Sequence, residues 1–253
     1  MHLAELASDL RLALDPVTFA AEKLDITLDQ WQAEVLTHPS KRIILNCSRQ
    51  AGKSTVTSIM ALIRALYYPK SLILLLSPSL RQSTELFRKV MDALKKLHAR
   101  PKLTEDNKLS TQFDNGSRII SLPGKEGTIR GFSGASLLVI DEASRVDDST
   151  YKAVRPMLAT SGGRLVILST PWGKRGFFHD EWVNGGETWQ RFKITAHDVP
   201  RIPAPFLEEE QRALGEFFFA QEYLCEFRET VDQVFSYEMI MGAIDPNVKP
   251  LEF

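Results

Sequence analysis

The sequence predicts an α/β fold in which a mostly parallel sheet is flanked by helices. Short aliphatic runs alternate along the chain with longer segments of helical periodicity, the pattern of strands buried on both faces of a parallel sheet. Polar residues follow three of these runs, where the carboxyl ends of strands bind ligands. The 253 residues fit one α/β domain with an appendage, or two small domains.

Bulk composition is that of a globular protein with a sizeable core, with 43% hydrophobic and 25% charged residues. The formal net charge is -1, so any contact with nucleic acid must use a local basic patch. The two cysteines, Cys47 and Cys225, favour a reduced compartment without a disulfide framework. No apolar run approaches the length of a membrane span, so the sequence predicts no membrane association.

The chain begins with a helical segment over about residues 1–37. Pro16 interrupts this pattern or starts a second helix, and Asp29 suits the N-cap of a helix that packs Trp31. Glutamines in this position, ahead of the first buried strand, can recognise the edge of an adenine ring. Gln30 and Gln32 are the candidates.

A phosphate-binding loop follows the first buried strand, residues 43–47. The run ends in a small polar turn with Gly52, Lys53 and Ser54, and a helical pattern comes next. Gly52 lets backbone N–H groups approach phosphate oxygens, Lys53 reaches the β- and γ-phosphates, and the Ser54 hydroxyl ligates Mg²⁺. The motif departs from the usual pattern at Cys47, where a glycine normally stands. The predicted nucleotide contacts of the loop are Gln50, Ala51, Gly52, Lys53, Ser54 and Thr55.

The middle of the chain predicts a second buried strand over residues 72–77 and then a helix over residues 82–97. The basic face of this helix favours a solvated surface over a DNA contact. A hairpin with an Asn115-Gly116 turn follows. After it comes a loop with several glycines and one arginine, Arg130.

Two adjacent carboxylates stand at the carboxyl tip of the next strand, residues 137–141. Asp141 is placed to hold Mg²⁺ through its water shell, and Glu142 to orient and deprotonate the attacking water. Together with the loop at Lys53, this pair predicts nucleotide hydrolysis. The following strand, residues 164–169, ends in Ser169 and Thr170, whose hydroxyls can sense the γ-phosphate or the lytic water.

The composition shifts at residues 200–205, where three prolines mark a boundary. We therefore expect a nucleotide-binding core over residues 1–199, including a last strand at 189–196, and a lid or linker over residues 200–253, helical at 206–229.

Several motifs together resemble the ATPase domain of the large terminase subunit of tailed bacteriophages. The most specific is Arg49-Gln50 in a phosphate loop that lacks its first glycine. The segments 28–32, 128–131, 168–171 and 221–227 resemble, in order, the family's adenine-binding segment, the residues before its Asp-Glu strand, its coupling motif and the end of its lid. The family's fold is an additional-strand, RecA-like P-loop ATPase with a small C-terminal helical lid.

The resemblance implies ATP and Mg²⁺ as cofactors, with Ser54 and Asp141 at the metal and Glu142 and Lys53 in catalysis. An arginine should complete the site, because the transition state spreads negative charge. Arg49 can act in cis, or as a nucleotide sensor. Arg130 can act in trans on a neighbouring subunit.

The implied function is ATP hydrolysis that drives double-stranded viral DNA into a procapsid. The implied partners are DNA, a portal protein, a small terminase subunit and further copies in a ring, the pentamer of the family, although the isolated domain can be monomeric. The protein would act in the host cytoplasm, docked transiently on the procapsid portal and absent from the mature virion. A C-terminal nuclease domain is expected only beyond this chain.

Three other functions stay open on the residues alone. A helicase or remodelling ATPase is the main alternative, although it needs a second RecA-like domain for which residues after 200 are too few. A small-molecule kinase usually has no glutamate at the position of Glu142, directly after the aspartate, because a water activated there would waste ATP. A nucleotide-binding module without hydrolysis is the third.

Overall fold

The computed structural model describes residues 3–124, 129, 131–229 and 237–244. Its centre is an eight-stranded sheet in the order β3-β4-β5-β2-β6-β7-β1-β8. The strands are β1 Arg42–Cys47, β2 Leu72–Ser77, β3 Leu103–Asp106, β4 Ser110–Phe113, β5 Arg118–Pro123, β6 Leu137–Asp141, β7 Arg164–Ser169 and β8 Gln190–Ile194. The helices are α1 Leu3–Leu14, α2 Pro16–Leu24, α3 Gln30–Thr37, α4 Lys53–Tyr67, α5 Leu80–Lys95, α6 Asp148–Val154, α7 Gly176–Val183, α8 Ala204–Glu222 and α9 Tyr237–Ala243.

The pairing of the strands confirms the predicted mostly parallel sheet. The six strands from β5 to β8 in sheet order pair in parallel, and β3 and β4 extend the β5 edge in antiparallel fashion. Strand β7 lies between β1 and β6, so one additional strand separates the phosphate loop from the Asp-Glu pair. This insertion distinguishes the predicted additional-strand class from folds in which the two strands are neighbours.

Two apolar layers cover the faces of the sheet, because successive side chains of a strand point to opposite sides. In β1, Ile43 and Leu45 pack with helices α1 to α5, and Ile44 packs with α6 and α7 on the other face. All three are fully buried. The strand that leads into the phosphate loop is therefore fixed from both sides.

The N-terminal helices follow the sequence prediction. Pro16 begins α2, where its missing N–H costs nothing. The Asp15 carboxylate caps this helix by accepting hydrogen bonds from the N–H groups of Val17 and Thr18, both at 3.0 Å. Asp29 likewise precedes α3, and its N–H donates to the Gln32 side chain at 3.0 Å.

Strand β3 is an element that the sequence did not predict. Three of its four residues, Thr104, Glu105 and Asp106, are polar and exposed, so no apolar alternation indicates a strand. It forms because the predicted hairpin of β4 and β5 offers an edge with which it pairs.

After β8, the chain forms the long helix α8, which departs from helical geometry at Gly215, with φ 73° and ψ 166°. Leu207 and Phe219 of this helix form a small separate cluster with Ala196, which follows β8, and Tyr223, which follows α8. The boundary of a lid at residue 200 stays a prediction. Within the ranges described above, no helix is long and apolar enough to cross a membrane.

Candidate active site

Three strand ends meet at the carboxyl edge of the sheet. In register, Asn46 of β1 pairs with Ser169 of β7, and Leu168 of β7 pairs with Asp141 of β6. The phosphate loop, the Ser169-Thr170 pair and the Asp141-Glu142 pair therefore lie side by side, in the place where parallel sheets bind ligands. The site residues that the sequence predicted on three separate motifs are brought together here.

The phosphate loop turns sharply between β1 and α4. Gln50 and Gly52 both adopt left-handed backbone conformations, with φ 56° and 97°. A Cβ atom at Gly52 would lie 2.7 Å from Nε2 of Gln32 and 3.2 Å from Nη2 of Arg201. Glycine is favoured at position 52 by its positive φ, and a larger residue would also displace the ends of these two side chains.

The departure at Cys47 has a simple structural reason. Cys47 is still part of strand β1, and its side chain is fully buried in the core. Burial raises the pKa of its thiol to about 12, so it behaves as a small apolar residue. A glycine is not needed where the chain is still extended and the side chain has a place to pack.

Lys53, the first residue of α4, is 9% exposed. Its Nζ lies 3.2 Å from the Ser48 carbonyl oxygen, to which it donates, and 3.4 Å from Oγ1 of Thr170. The ammonium group therefore spans from the loop to the end of β7. A phosphate placed over the loop would meet this charge in a buried setting, where Coulomb attraction is strong.

The two carboxylates have different environments. Burial, and then the charge of Glu142, raises the pKa of Asp141 to about 6, although Lys53 acts in the opposite direction. Asp141 Oδ1 is buried without a hydrogen-bond partner among the described residues. Glu142 has a left-handed φ of 50°, a strained conformation of the kind found at functional sites.

Hydroxyl groups link Glu142 to the neighbouring strand. Oγ of Ser169 lies 3.5 Å from Oε2 of Glu142, a long contact, and 2.7 Å from Oγ of Ser144. Ser144 also donates to the Thr170 carbonyl oxygen at 2.8 Å. Ser144 was not predicted, since a serine two residues after Glu142 carries no sequence pattern of its own.

A cavity of about 580 Å³ opens beside the loop, a size typical of small-molecule sites. It is lined by Ile26, Gln50, Ala51, Gly52, Lys53, Ser54, Thr55, Ser58, Ile59, Lys89, Asp92, Ala93, Lys96 and Glu142. Every predicted loop residue from Gln50 to Thr55 is in this lining. The cavity combines an apolar wall with cations and with the carboxylates of Asp92 and Glu142.

Lys89 enters this cavity from helix α5, and its Nζ donates to Oγ of Ser54 at 3.0 Å. The sequence pattern favoured a solvated role for the basic face of α5. The contact with Ser54 joins residues 35 positions apart, which no local pattern reveals. Lys89 is therefore a site residue that sequence reasoning missed.

The two glutamine candidates are placed differently. Gln32 is buried, and its Nε2 lies 3.5 Å from the Gly52 carbonyl oxygen. Gln30 is exposed and donates to Glu34 at 2.9 Å. The structure thus brings Gln32, and not Gln30, next to the loop. A role of either in adenine recognition stays a prediction.

Arg201 is a second residue that the sequence analysis missed. Its Nη1 contacts both carboxylate oxygens of Asp29, at 2.6 and 2.7 Å, and its Nη2 donates to the Ala51 carbonyl oxygen at 3.1 Å. This one side chain ties the proline-rich segment to α3 and the phosphate loop. Nothing in the sequence around Arg201 predicted the contact.

Of the two candidate arginines, only Arg49 is among the described residues. Arg49 forms an ion pair with Glu222 at the end of α8, with Nε 2.5 Å from Oε2. This hydrogen bond is the main reason that the pKa of Arg49 is raised. Arg49 therefore connects the phosphate loop to α8 and is 60% exposed in its side chain. Arg130 lies outside the described residues.

The predicted metal ligands fit Mg²⁺ by their chemistry. The Ser54 hydroxyl and the Asp141 carboxylate are hard oxygen donors, of the kind that Mg²⁺ binds in nucleotide sites together with water and phosphate oxygens. The buried, unpartnered Oδ1 of Asp141 is consistent with such a role. Among the described residues, no group of three or more His, Cys, Asp or Glu side chains could hold a metal without such help.

Comparison with known families confirms the resemblance stated above. The family described as "Terminase large subunit, T4likevirus-type, N-terminal" matches residues 44–241. The chain is 24% identical over 228 residues to the large terminase subunit of Escherichia phage T5, covering 86% of this chain and 50% of that protein. This chain spans about half the length of the curated relatives that it matches.

Solved structures show the same fold. The large terminase ATPase domain of Thermus phage P74-26 matches 85% of this chain and 100% of its own, with a TM-score of 0.75 and 21% identity. The large terminase of another thermophilic bacteriophage, in complex with ATP-γ-S, matches 79% of this chain and 53% of its own, with a TM-score of 0.63 and 16% identity. These structures confirm the predicted additional-strand fold.

Proposed function

Since the chain belongs to the family of T4-like large terminase subunits, as the match over residues 44–241 establishes, we propose that it hydrolyses ATP to drive double-stranded viral DNA into a procapsid. One observation carries the enzymatic part of the proposal. Lys53 and Glu142 line the same cavity at the carboxyl edge of the sheet. A phosphate-binding cation and a base thus face one bound nucleotide.

ATP binding is assigned to the loop and its surroundings. Backbone N–H groups from Gln50 to Thr55 surround the triphosphate, and the start of α4 turns its positive dipole end towards it. Gln32 is placed for the base, because it lies against the loop from the side of α3. The P74-26 relative is named as an ATPase domain, and the other thermophilic phage terminase was solved with ATP-γ-S, which supports the choice of nucleotide.

Ser54 and Asp141 would hold Mg²⁺, which neutralises charge on the transferring phosphate when it is bound. The Lys89 ammonium at Ser54 must then move away from the hydroxyl or turn to a phosphate oxygen. Asp141 must give up its proton before it can act as a ligand, and the charges of Lys53 and Lys89 favour that ionisation.

Glu142 orients the attacking water and accepts its proton. Ser169 contacts the Glu142 carboxylate, and Thr170 contacts Lys53. The end of β7 therefore helps to orient both catalytic side chains. Arg49 and Arg130 are proposed to neutralise charge in the transition state, Arg49 from the loop and Arg130 from a neighbouring subunit.

Arg49 also offers a route from the nucleotide to α8. Its ion pair with Glu222 links the phosphate loop directly to α8, the helix that begins within the proline-rich boundary. A phosphate that recruits Arg49 would release Glu222 and change the position of the proposed lid, residues 200–253. Such gated motions limit turnover in many enzymes of this kind.

The partners follow from the family and not from contacts within this chain. We propose that the protein works as a ring, a pentamer by family resemblance, on a portal protein in the host cytoplasm, together with a small terminase subunit. Contact with DNA would be mainly to phosphates and so would weaken with salt. As DNA-facing residues we propose Arg100, Lys102 and Lys125; Arg100 and Lys102 are exposed, and Lys125 lies outside the described residues.

The test is release of inorganic phosphate from Mg·ATP by the purified chain without any acceptor molecule. We expect steady release that stops when Mg²⁺ is chelated. A kinase would convert ATP to ADP only after an acceptor was added, and a non-hydrolysing module would bind ATP without release. Either of these results would exclude the proposed activity. Strand-separation of a labelled duplex, assayed in parallel, would favour the helicase alternative.

A further inference from the structure

A second cavity, of about 690 Å³, lies at the opposite edge of the sheet. Its lining includes residues just before or at the starts of β1, β6 and β7, such as Lys41, Leu137 and Arg164, and the end of helix α4. None of its lining residues takes part in the candidate active site. We name it the amino-edge cavity.

The charges around the amino-edge cavity are of one sign. Lys41, Arg64 and Arg164 line it, and none of the described residues in its lining is an aspartate or a glutamate. Hydroxyl groups of Thr37, Ser136 and Ser161 add hydrogen-bonding capacity. Three cations without a carboxylate favour an anionic occupant.

Arg64 has an unmet hydrogen-bonding demand. Its Nε is buried and has no partner among the described residues. The guanidinium instead lies over the ring of Tyr68, with Cζ 4.4 Å from the ring centroid. The buried Nε is out of reach of a ligand, so any contact of Arg64 with an occupant of the cavity must come from its two Nη groups.

Arg164 is held in a fixed position across from it. Its Nε donates to the Ser40 carbonyl oxygen at 3.0 Å, and its Nη2 donates to the His38 carbonyl oxygen. Burial, and then the nearby charge of Arg64, lowers the pKa of Arg164. Two guanidinium groups therefore repel each other across this wall, and an anion between them would remove that repulsion.

The remaining wall is apolar and consists mainly of Leu14, Leu36, Met60 and Ile63. The cavity volume is within the usual range for small-molecule sites. A planar guanidinium group can donate two parallel N–H bonds to two oxygens of one phosphate. We infer that the amino-edge cavity binds a small phosphate monoester that carries an apolar ring, with the phosphate at Arg64, Arg164 and Lys41 and the ring against the apolar wall.

Phenyl phosphate is a probe that contains both halves of this chemistry. Its binding to the chain can be followed by saturation-transfer NMR on the ring protons, and its Kd obtained by titration. We expect phenyl phosphate to bind about tenfold more tightly than inorganic phosphate, because the ring is buried. Equal affinity for phenyl phosphate and inorganic phosphate would contradict the proposal that the apolar wall binds the ring.

Four variants locate the site. Arg64→Gln should weaken phenyl phosphate binding by about tenfold or more, through loss of charge-assisted hydrogen bonds. Lys41→Gln, at an exposed position where folding is not at risk, should weaken it by about threefold. Arg212→Gln, an exposed arginine on α8, is the matched control and should change nothing. Lys53→Ala should also leave binding intact, since the phosphate loop is a different site.

Unchanged affinity in both Arg64→Gln and Lys41→Gln would overturn the proposal, provided that circular dichroism shows folded protein. Loss of binding in Lys53→Ala would overturn it too, because the probe would then be in the phosphate loop. The last experiment is competition between phenyl phosphate and a duplex oligonucleotide. Displacement of phenyl phosphate by DNA at an equal phosphate concentration would assign the cationic wall to a nucleic-acid backbone and contradict a small-molecule site.

Discussion

The two edges of the central sheet carry cavities of similar size, about 580 and 690 Å³, with different chemistry. Both are lined by cations. Among the described lining residues, only the carboxyl edge combines carboxylates, Glu142 and Asp92, with a buried lysine, Lys53. The amino edge has arginines without a carboxylate in its described lining. Cations are sufficient to hold a phosphate, whereas its hydrolysis also needs a group that accepts the proton of water.

Removing the main cation of each edge tests whether the two cavities are independent sites. Lys53→Ala should raise the Kd of Mg·ATP by about 100-fold, since a buried charge-assisted contact is lost. Arg64→Gln should leave it within about twofold, because Arg64 is at the other edge. Calorimetric titration of both variants measures the contrast. Similar losses in the two would mean that the edges are not independent sites.

The buried carboxyl of Asp141 should make stability pH-dependent at the carboxyl edge. Its pKa is raised from its ordinary value to about 6, so the folded chain holds this proton more tightly than the unfolded chain. The stability gained from protonation is complete below about pH 4 and is lost as pH rises through about 6. The full loss is about 3 kcal/mol in free energy of unfolding.

Urea unfolding of the metal-free and nucleotide-free protein measures this effect. Asp141→Asn cannot titrate, so its stability relative to the wild type should increase between about pH 4 and pH 7, by up to about 3 kcal/mol. An equal pH dependence in wild type and variant would show that Asp141 is not the responsible group.

The ion pair between Arg49 and Glu222 sharpens the comparison, because it couples the carboxyl edge to α8. Glu222→Gln should free Arg49 for the phosphates and lower the Kd of Mg·ATP by about threefold to tenfold. Glu216→Gln, an exposed residue on the same helix, is the control. If Glu222→Gln bound ATP no more tightly than Glu216→Gln, the ion pair would not compete with the nucleotide.

Lys89 should give the smallest effect. It contacts Ser54 from an exposed position, where screened charges contribute less than about 1 kcal/mol. Lys89→Ala should therefore raise the Kd of Mg·ATP by no more than about fivefold, with the difference shrinking at high salt. Arg88→Ala on the same helix, which pairs with Glu85 and like Glu85 is outside the cavity lining, should have no effect. Equal Kd values of Mg·ATP for the two variants would show that Lys89 does not contribute to nucleotide binding.

Much of the fold and the core of the site were predictable because they depend on local patterns. Aliphatic runs indicated the buried strands, and the residues at or shortly after their carboxyl ends, Lys53, Asp141 and Thr170, meet because parallel strands end at one edge. The remaining contacts join distant segments. Glu222 is 173 positions from Arg49, and Arg201 is 172 from Asp29. Such partners depend on how α8 and the proline-rich segment pack, which sequence periodicity does not encode.

The amino-edge cavity illustrates the same limit. Arg64 belongs to no sequence motif, and Arg164 was only the first residue of the predicted strand at 164–169. Only the parallel arrangement of β1, β6 and β7 brings their starts together around the end of α4. The sequence therefore predicted the site that is built from contiguous motifs and missed the one that is built from single residues.

Glu142→Gln tests the central claim, that the carboxyl edge hydrolyses ATP, most directly. Phosphate release and the Kd of Mg·ATP are measured on the same preparation, with Glu187→Gln, an exposed residue, as control. We predict that turnover falls by about 100-fold or more, as for loss of a general base, while the Kd stays within about threefold of the wild type. Turnover that survived in Glu142→Gln with ATP binding intact would contradict the assignment of Glu142 as the base.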